Sequence, residues 1–195
     1  MTPDPDRWLD LLLQANILKT TPRTGWHLRW VAQPEDVAAH SWGTAMVALC
    51  LAEMSGEPLD RGRLLSMAIL HDLAESEVSD IPRMAVRFLP AGAKNQAEAR
   101  ALAEMLGGLP AAESWTELME AYKQEADAEA RLVRDADRLE FLLQAWVYRR
   151  ATGNELLESV RETYREKEFA TAAAQAVADR ILARWPEMGA GPTRS

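Results

Sequence analysis

The chain has 195 residues, of which 48% are hydrophobic and 27% are charged, and its formal net charge is −8. This size and apolar content are typical of one soluble domain with a sizeable core, and the acidic balance argues against binding to the phosphate backbone of a nucleic acid polymer. The single cysteine excludes an internal disulfide and fits a reducing compartment, so we expect a cytoplasmic protein.

The sequence also gives no indication of a targeting segment or a membrane span. Its first residues lack a basic segment followed by an apolar stretch, so we expect no signal peptide. The longest apolar run, residues 45–52, is far shorter than the ~20 residues that cross a bilayer. Cys50 lies within that run, and we expect it to be an inert core residue.

Taken in chain order, the apolar periodicity and the capping residues predict helices and no strand. Asp4 and Pro5 open the first helix, and proline and glycine mark the loop that follows it over residues 19–26. Asp60 is predicted to cap a central helix, and residues 114–117 form a capping-box pattern that predicts another helix start. The predicted helices span about residues 8–18, 34–54, 64–77, 93–106 and 114–148, a charged segment after Asn154, and residues 169–183.

These elements predict an all-α fold, a single-domain bundle of irregularly crossing helices. We expect the domain to span residues 1–188, with the sequence motifs in a core of about residues 8–150 and the C-terminal helices in residues 154–185. Residues 189–195 are predicted to be a flexible tail.

A cluster of polar residues follows the apolar start of the predicted central helix. In a helix His71 and Glu75 are four residues apart and Asp72 and Glu75 are three apart, so their side chains can converge on one side. The preceding residues 64–70 are almost wholly apolar, which predicts that this part of the helix is buried. Buried ionisable groups need a charged partner or a metal ion, so the pattern predicts a metal site.

Histidines are the first candidates for the remaining ligands, and the chain has three, His27, His40 and His71. A lone histidine on an apolar helix, such as His40, is usually a hydrogen-bonded core residue. The adjacent pair of His71 and Asp72 favours a ligand role for His40, because two core helices could face each other through imidazoles. His27 lies in a predicted loop and is expected to be solvated.

Two aspartates in the apolar helix near residue 137 are further candidates. Asp135 and Asp137 point about 200° apart on a helix, so one of them at most is expected to face inward. Asp137 lies four residues before Phe141, on the apolar stripe, and is the predicted ligand. Asp135 has Arg131 and Arg138 at helical neighbour spacing and is predicted to be a surface charge.

Two imidazoles and two carboxylates form a mixed nitrogen and oxygen set that suits a divalent ion. Candidates are Mn²⁺, Co²⁺, Fe²⁺, Ni²⁺ and Zn²⁺, with Mg²⁺ also considered, and the native metal is not specified by the sequence. The set contains no thiolate, which argues against a closed structural zinc site. An open coordination position is what a hydrolytic metal needs.

Six sequence motifs together resemble the HD-domain phosphohydrolases, and within them the 5′-deoxynucleotidase branch, which removes phosphate from deoxyribonucleoside 5′-monophosphates. The motifs are residues 22–26, Arg29, residues 34–40, residues 71–75, residues 80–82 and residues 135–140. The resemblance covers roughly residues 8–150. One departure is Ser79, where relatives often have glycine before the aspartate.

The resemblance implies a role for each matching residue. It implies metal ligation by His40, His71, Asp72 and Asp137, catalysis by Glu75 with Asp80 at the substrate, and contacts to phosphate and nucleotide by Arg23 and Trp26, with Arg29 and Arg83 nearby. On the residues alone, Trp26 is equally consistent with a loop residue that covers the core, and Arg23 with a solvated charge. The family also suggests a homodimer.

Three other functions are compatible with parts of this pattern. Two histidines and one carboxylate also describe an iron oxygenase, but a di-iron site needs further histidines and His27 alone is left over. Another phosphoester, such as a cyclic nucleotide, would use the same metal site. A non-catalytic binding module would use the cluster as an ion-pair network, but it would not require Glu75. We therefore expect a metal-dependent enzyme with a small nucleotide substrate and neither a nucleic acid polymer nor a membrane as partner.

Overall fold

The computed structural model describes residues 4–185, and every regular element in that span is helical. The predicted all-α fold is confirmed. One isolated β-bridge joins Pro22 and Asp36. The predicted domain end at residue 188 and the predicted tail, residues 189–195, lie outside the described residues.

The helices are α1 (Pro5–Asn16), α2 (Thr24–His27), α3 (Val37–Ser55), α4 (Arg61–Leu70), α5 (Glu75–Val78), α6 (Arg83–Val86), α7 (Ala93–Leu106), α8 (Ala112–Gln124), α9 (Ala128–Thr152), α10 (Glu158–Arg165) and α11 (Ala172–Ala183). Two 3-10 turns, Ile17–Lys19 and Glu155–Leu157, follow α1 and α9.

Three helices, α3, α4 and α9, pack against one another at the centre of the bundle. α3 begins where the Asp36 side chain accepts a hydrogen bond from Ala39 N–H, and it ends at Gly56, whose φ of +65° is strain-free for glycine. α9 begins in the same way at Asp127, which accepts from Ala130 N–H at 2.7 Å. Among the described residues, α3 also has the length and composition of a membrane span, a property that core helices of soluble proteins share.

The central helix is shorter than predicted, because α4 ends at Leu70. His71 Nδ1 lies 2.8 Å from the carbonyl oxygen of Ala68, which in a continuing helix would accept from the backbone of the residue after His71. The four residues that start with His71 form tight turns, and α5 begins at Glu75. The prediction that His71 and Glu75 lie on one continuous helix is therefore wrong.

Two helix boundaries and one burial prediction also differ from the structure. α8 starts two residues earlier than predicted, and the Ser114 hydroxyl donates to Ala111 O instead of capping the helix. The helix is interrupted between α8 and α9 at Glu125, whose φ is +52°, where the sequence predicts a continuous helix. Cys50 is exposed instead of buried. The prediction failed because α3 is apolar on all sides, so its composition does not indicate which face packs inward.

Asp135 is a buried residue of α9, and the prediction that it is a surface charge is wrong. Its carboxylate accepts hydrogen bonds from Ala170 N–H at 3.1 Å, Thr171 N–H at 2.7 Å and the Thr171 hydroxyl at 2.8 Å. These bonds fasten the start of α11 to α9. The neighbouring Arg138 does pair with Asp135, at 3.4 Å, but the segment before α11 covers both residues. Local spacing could not predict this cover, because it comes from a distant part of the chain.

Candidate metal centre and active site

The four predicted metal ligands converge where α3, the end of α4 and α9 meet. His40 Nε2 lies 3.2 Å from Asp137 Oδ1, 3.4 Å from His71 Nε2 and 3.7 Å from Asp72 Oδ2. His71 Nε2 lies 3.2 Å from Asp72 Oδ2. The structure thus brings together side chains that are far apart in sequence, since His40 and Asp137 are separated by 97 positions.

The spacing of the His40, His71 and Asp72 ligand atoms fits a divalent ion between them, and Asp137 adjoins this set through His40. Nitrogen and oxygen ligands lie about 2.0–2.2 Å from such an ion, so neighbouring ligand atoms in a tetrahedral or octahedral shell are about 2.8–3.6 Å apart. Both imidazoles already use their other nitrogen, since His40 Nδ1 contacts Glu140 Oε2 and His71 Nδ1 contacts Ala68 O. The two Nε2 atoms therefore face the carboxylates, an arrangement suited to binding a cation at its centre.

The electrostatics of the cluster favour positive charge at the same point. Burial and the charge of Arg23 would lower the pKa of His40, but hydrogen bonds to Asp137 and Glu140 raise it to about 10. Burial would raise the pKa of Asp72, yet the charges of His71, Arg23 and His40 lower it. The pKa of Asp137 is likewise lowered, against its burial, by the hydrogen bond from His40 and by the charge of His71. Carboxylates held in their ionised form are good ligands for a divalent cation.

Glu140 supports His40 from behind, and the sequence analysis assigned it no role. Its carboxylate is buried and accepts from His40 Nδ1, which fixes the ring with Nε2 toward the cluster. Gly43 makes room for this contact, because a Cβ atom there would lie 2.9 Å from Glu140 Cγ and Oε1. Glu140 is three residues after Asp137 and Gly43 is three after His40, and this helical spacing was the signal that could have identified both.

Glu75 lies beside the cluster as a buried carboxyl group with an exposed fraction of only 3%. Its Oε1 is 3.5 Å from Lys94 Nζ, whereas its Oε2 is buried and has no hydrogen-bond partner among the described residues. Burial and then the negative charges of Asp72 and Asp80 raise the pKa of Glu75 to about 9. A carboxyl group with this raised pKa holds its proton at neutral pH, which suits it to general acid catalysis, and a cation beside it would favour the ionised form that acts as a base.

Asp80 holds the loop that carries Arg23 against the site. Its Oδ2 accepts from Thr24 N–H at 2.7 Å, and its backbone oxygen accepts from the Thr24 hydroxyl at 2.9 Å. Arg23 Nη1 in turn donates to Asp72 Oδ2 at 3.2 Å. Burial would lower the pKa of Arg23, but Asp72, Asp80 and further carboxylates raise it, so its positive charge is secure. Ser79, the residue before Asp80, has a φ of +63° and a ψ of 165°, a conformation that strongly favours glycine.

The predicted contact between Trp26 and the nucleotide is not supported, because the indole has no exposed surface. Its ring stacks on Phe141 with centroids 4.2 Å apart, and its Nε1 donates to Glu35 Oε1 at 2.9 Å. Trp26 therefore supports the Arg23 loop from within the core, which is the alternative that the sequence left open. The prediction was wrong because an aromatic residue in a glycine- and proline-rich loop has no local signal for the side it faces.

Arg29 and Arg83 are not brought into the ligand cluster. Arg29 Nη1 donates to Gly25 O at 2.9 Å, and the guanidinium lies 5.9 Å from the centre of the Phe141 ring. Arg83 is exposed on α6. Its charge nevertheless acts together with Arg138 on Lys167, whose pKa is lowered by burial and by these cations to about 8.

Comparisons with known proteins agree with this geometry. A family model described as an HD domain matches residues 15–178. The 5′-deoxynucleotidase HDDC2 of Danio rerio is 32% identical over 150 residues, which cover 76% of this chain and 72% of that protein. The protein of the same name from Bos taurus is 34% identical over 142 residues, with 72% and 67% covered.

Solved structures give the same result. A protein from Pyrococcus horikoshii superposes with a TM-score of 0.76 at 31% identity, covering 90% of this chain and 98% of that one. A predicted metal-dependent phosphohydrolase from Magnetospirillum magnetotacticum superposes with a TM-score of 0.64 at 26% identity, covering 94% and 97%. The family match over most of the chain and the convergence of His40, His71, Asp72 and Asp137 lead to one conclusion: the chain belongs to the HD-domain family.

Proposed function

We propose that this protein is a metal-dependent phosphomonoesterase that hydrolyses deoxyribonucleoside 5′-monophosphates to a deoxynucleoside and phosphate. The observation that carries the proposal is the convergence of two imidazoles and two carboxylates beside a buried glutamate and an arginine. Two further findings support it. The relatives from Danio rerio and Bos taurus are named 5′-deoxynucleotidases, and the Magnetospirillum protein is named a predicted metal-dependent phosphohydrolase.

In this proposal the metal is held by His40, His71, Asp72 and Asp137. A divalent ion bound there supplies Lewis-acid polarisation of a phosphoryl oxygen and lowers the pKa of a water molecule. The ion is one of Mn²⁺, Co²⁺, Fe²⁺, Ni²⁺, Mg²⁺ and Zn²⁺ on the chemistry of the donors. The two histidines keep their Nε2 atoms inward because Glu140 and a backbone carbonyl hold their Nδ1 atoms.

Arg23 and Glu75 act on the substrate in this proposal. The Arg23 guanidinium donates to Asp72 through Nη1, and its remaining N–H groups are suited to bind phosphate oxygens with charge assistance. Glu75 Oε2 has no hydrogen-bond partner in the part of the chain that the structure describes. In this proposal it accepts a proton from the attacking water or returns one to the 5′-oxygen that leaves. Asp80 contributes by holding the Arg23 loop through Thr24.

Several finer assignments belong to the same proposal, and of these the homodimer rests on the family. A cytoplasmic location, a homodimer and the absence of nucleic acid polymers and membranes as partners remain predictions. The preferred base and the group that discriminates deoxyribose from ribose are left to experiment. Trp26 is not that group, because it is buried.

The proposal is tested by phosphate release from a panel of nucleotides. Metal-stripped protein is resupplied with each divalent ion and assayed with dAMP and AMP, the other deoxynucleotides, cyclic AMP and a generic phosphomonoester. We expect metal-dependent release of phosphate from dAMP and little from AMP. An H71A variant is the control and should be inactive. Activity on cyclic AMP or the generic ester alone would support the metal site but overturn the nucleotidase assignment. If no phosphate were released from any substrate with any ion, the phosphohydrolase assignment would be overturned as well.

A further inference from the structure

A lysine on α7 touches the proposed catalytic carboxylate, although no sequence motif included it. Lys94 Nζ lies 3.5 Å from Glu75 Oε1, 3.3 Å from the carbonyl oxygen of Ile81 and 3.4 Å from Glu98 Oε1. An ammonium group has three N–H donors, and here it has three acceptors. The Lys94 head group is therefore held in one place rather than free to move with solvent.

The contact makes the two oxygens of Glu75 different. Lys94 contacts Oε1, while Oε2 is buried and has no hydrogen-bond partner within residues 4–185. A buried polar atom without a partner destabilises the folded state, so such atoms are rare in folded proteins and call for a functional explanation. Fixing one oxygen also fixes the direction of the other, because the carboxylate is planar.

Charge explains why a cation is needed at this point. Glu75 faces the negative charges of Asp72 and Asp80, with Arg23 and Lys94 as the cations that oppose them. Arg23 is engaged with Asp72, whereas Lys94 approaches Glu75 from the opposite element, α7. Without Lys94, a buried carboxylate would be left beside two others with its side chain unrestrained.

We propose that Lys94 is a positioning residue of the phosphohydrolase site: it holds Glu75 Oε1 so that Oε2 points at the reacting water or leaving oxygen. The inference rests on the proposed function. It extends the site to Lys94 on α7. Outside the site, Glu98 also pairs with Lys123, whose Nζ lies 3.3 Å from Glu98 Oε2. Lys123 is the natural control, since it shares Glu98 and does not touch Glu75.

The test compares steady-state kinetics of K94M, K94R and K123M on the best substrate of the wild-type protein. For K94M we expect kcat to fall about 10- to 100-fold with KM within about twofold, because the lost group acts in the transition state and not in binding. K94R, which keeps a cation, should recover a substantial part of kcat, and K123M should match the wild type. Bound metal per chain should be unchanged in all three. A K94M variant with wild-type kcat, or one whose loss is all in KM, would overturn the inference.

A second measurement separates this inference from the proposed function. Urea unfolding of metal-free wild type, K94M, E75Q and the double variant shows whether the two side chains are coupled, with no need for turnover. We expect K94M to shift the midpoint in the wild-type background and to shift it far less in the E75Q background. Equal shifts in both backgrounds would show that Lys94 does not hold Glu75. If the contact is present and the wild type hydrolyses no phosphate ester, the proposed function fails and the catalytic role of Lys94 falls with it.

Discussion

Replacing Asp135 by alanine should lower the free energy of unfolding more than replacing any metal ligand does. The substitution leaves three donors, on Ala170 and Thr171, without the buried carboxylate that accepts from them. Hydrogen bonds to a charged group contribute about 1.5–3 kcal/mol each, and breaking a buried charged interaction costs about 3–5 kcal/mol. The bonds share one carboxylate and are not additive, so we expect D135A to lose about 3–5 kcal/mol. That is a large part of the 5–15 kcal/mol typical of a folded domain.

Urea unfolding of metal-free protein, followed by far-UV circular dichroism, measures this loss. D135N should lose less than D135A, because its amide oxygen still accepts from the backbone. D179A is the matched control, since Asp179 is an exposed residue of α11 whose side chain hydrogen-bonds to Gln175 alone among residues 4–185. It should change stability by less than ~0.5 kcal/mol. D137A should lose bound metal with a smaller loss of stability. A loss below about 1 kcal/mol in D135A, or loss of metal in D135A and not in D137A, would refute the reasoning.

Four further predictions concern the layer around the ligands. E140Q should weaken metal binding about 10- to 100-fold in a competition titration with a chelating dye, because the support of His40 is reduced; unchanged affinity would contradict this role. W26F should destabilise the fold by about 1–3 kcal/mol in urea and leave KM for the nucleotide unchanged, whereas a raised KM with normal stability would return the indole to the substrate site. S79G should raise stability by ~1 kcal/mol in thermal unfolding, since glycine adopts a φ of +63° without strain, and a lower Tm would argue against strain there. In metal-free protein the pKa of Glu75 is raised from 4.5 to about 9, so the native state binds a proton more tightly than the unfolded state and stability falls as pH rises from 4.5 to 9. E75Q should remove that part of the pH dependence of stability. An unchanged slope in E75Q would show that Glu75 does not cause it.

Part of the site could be predicted because it depends on residue type and spacing within single helices. With three histidines in the chain, His40 and the His71–Asp72 pair were the natural donors, and helical periodicity separated Asp137 from Asp135 as the residue that faces the cluster. The fold class followed from apolar periodicity without any strand pattern. These signals are local, so one sequence contains them.

The remaining features depend on contacts between distant segments. The burial of Asp135 requires the segment before α11, and the burial of Trp26 requires Phe141, 115 positions further along the chain by their numbers. Lys94 reaches Glu75 only because α7 packs against α5. None of these partners has a spacing rule that connects it to the residue it touches.

The opposed aspartates of α9 impose a constraint on the length of that helix. Asp137 faces the metal cluster and Asp135, two positions earlier, fastens α11. One inserted or deleted residue rotates everything beyond it by about 100° and shifts it by about 1.5 Å, so one aspartate would leave its partners while the other stayed. Because both partner sets are anchored elsewhere in the bundle, no local adjustment can restore the pair. We expect the outer face of α9 to accept many substitutions, whereas the interval between these two carboxylates accepts no change in length.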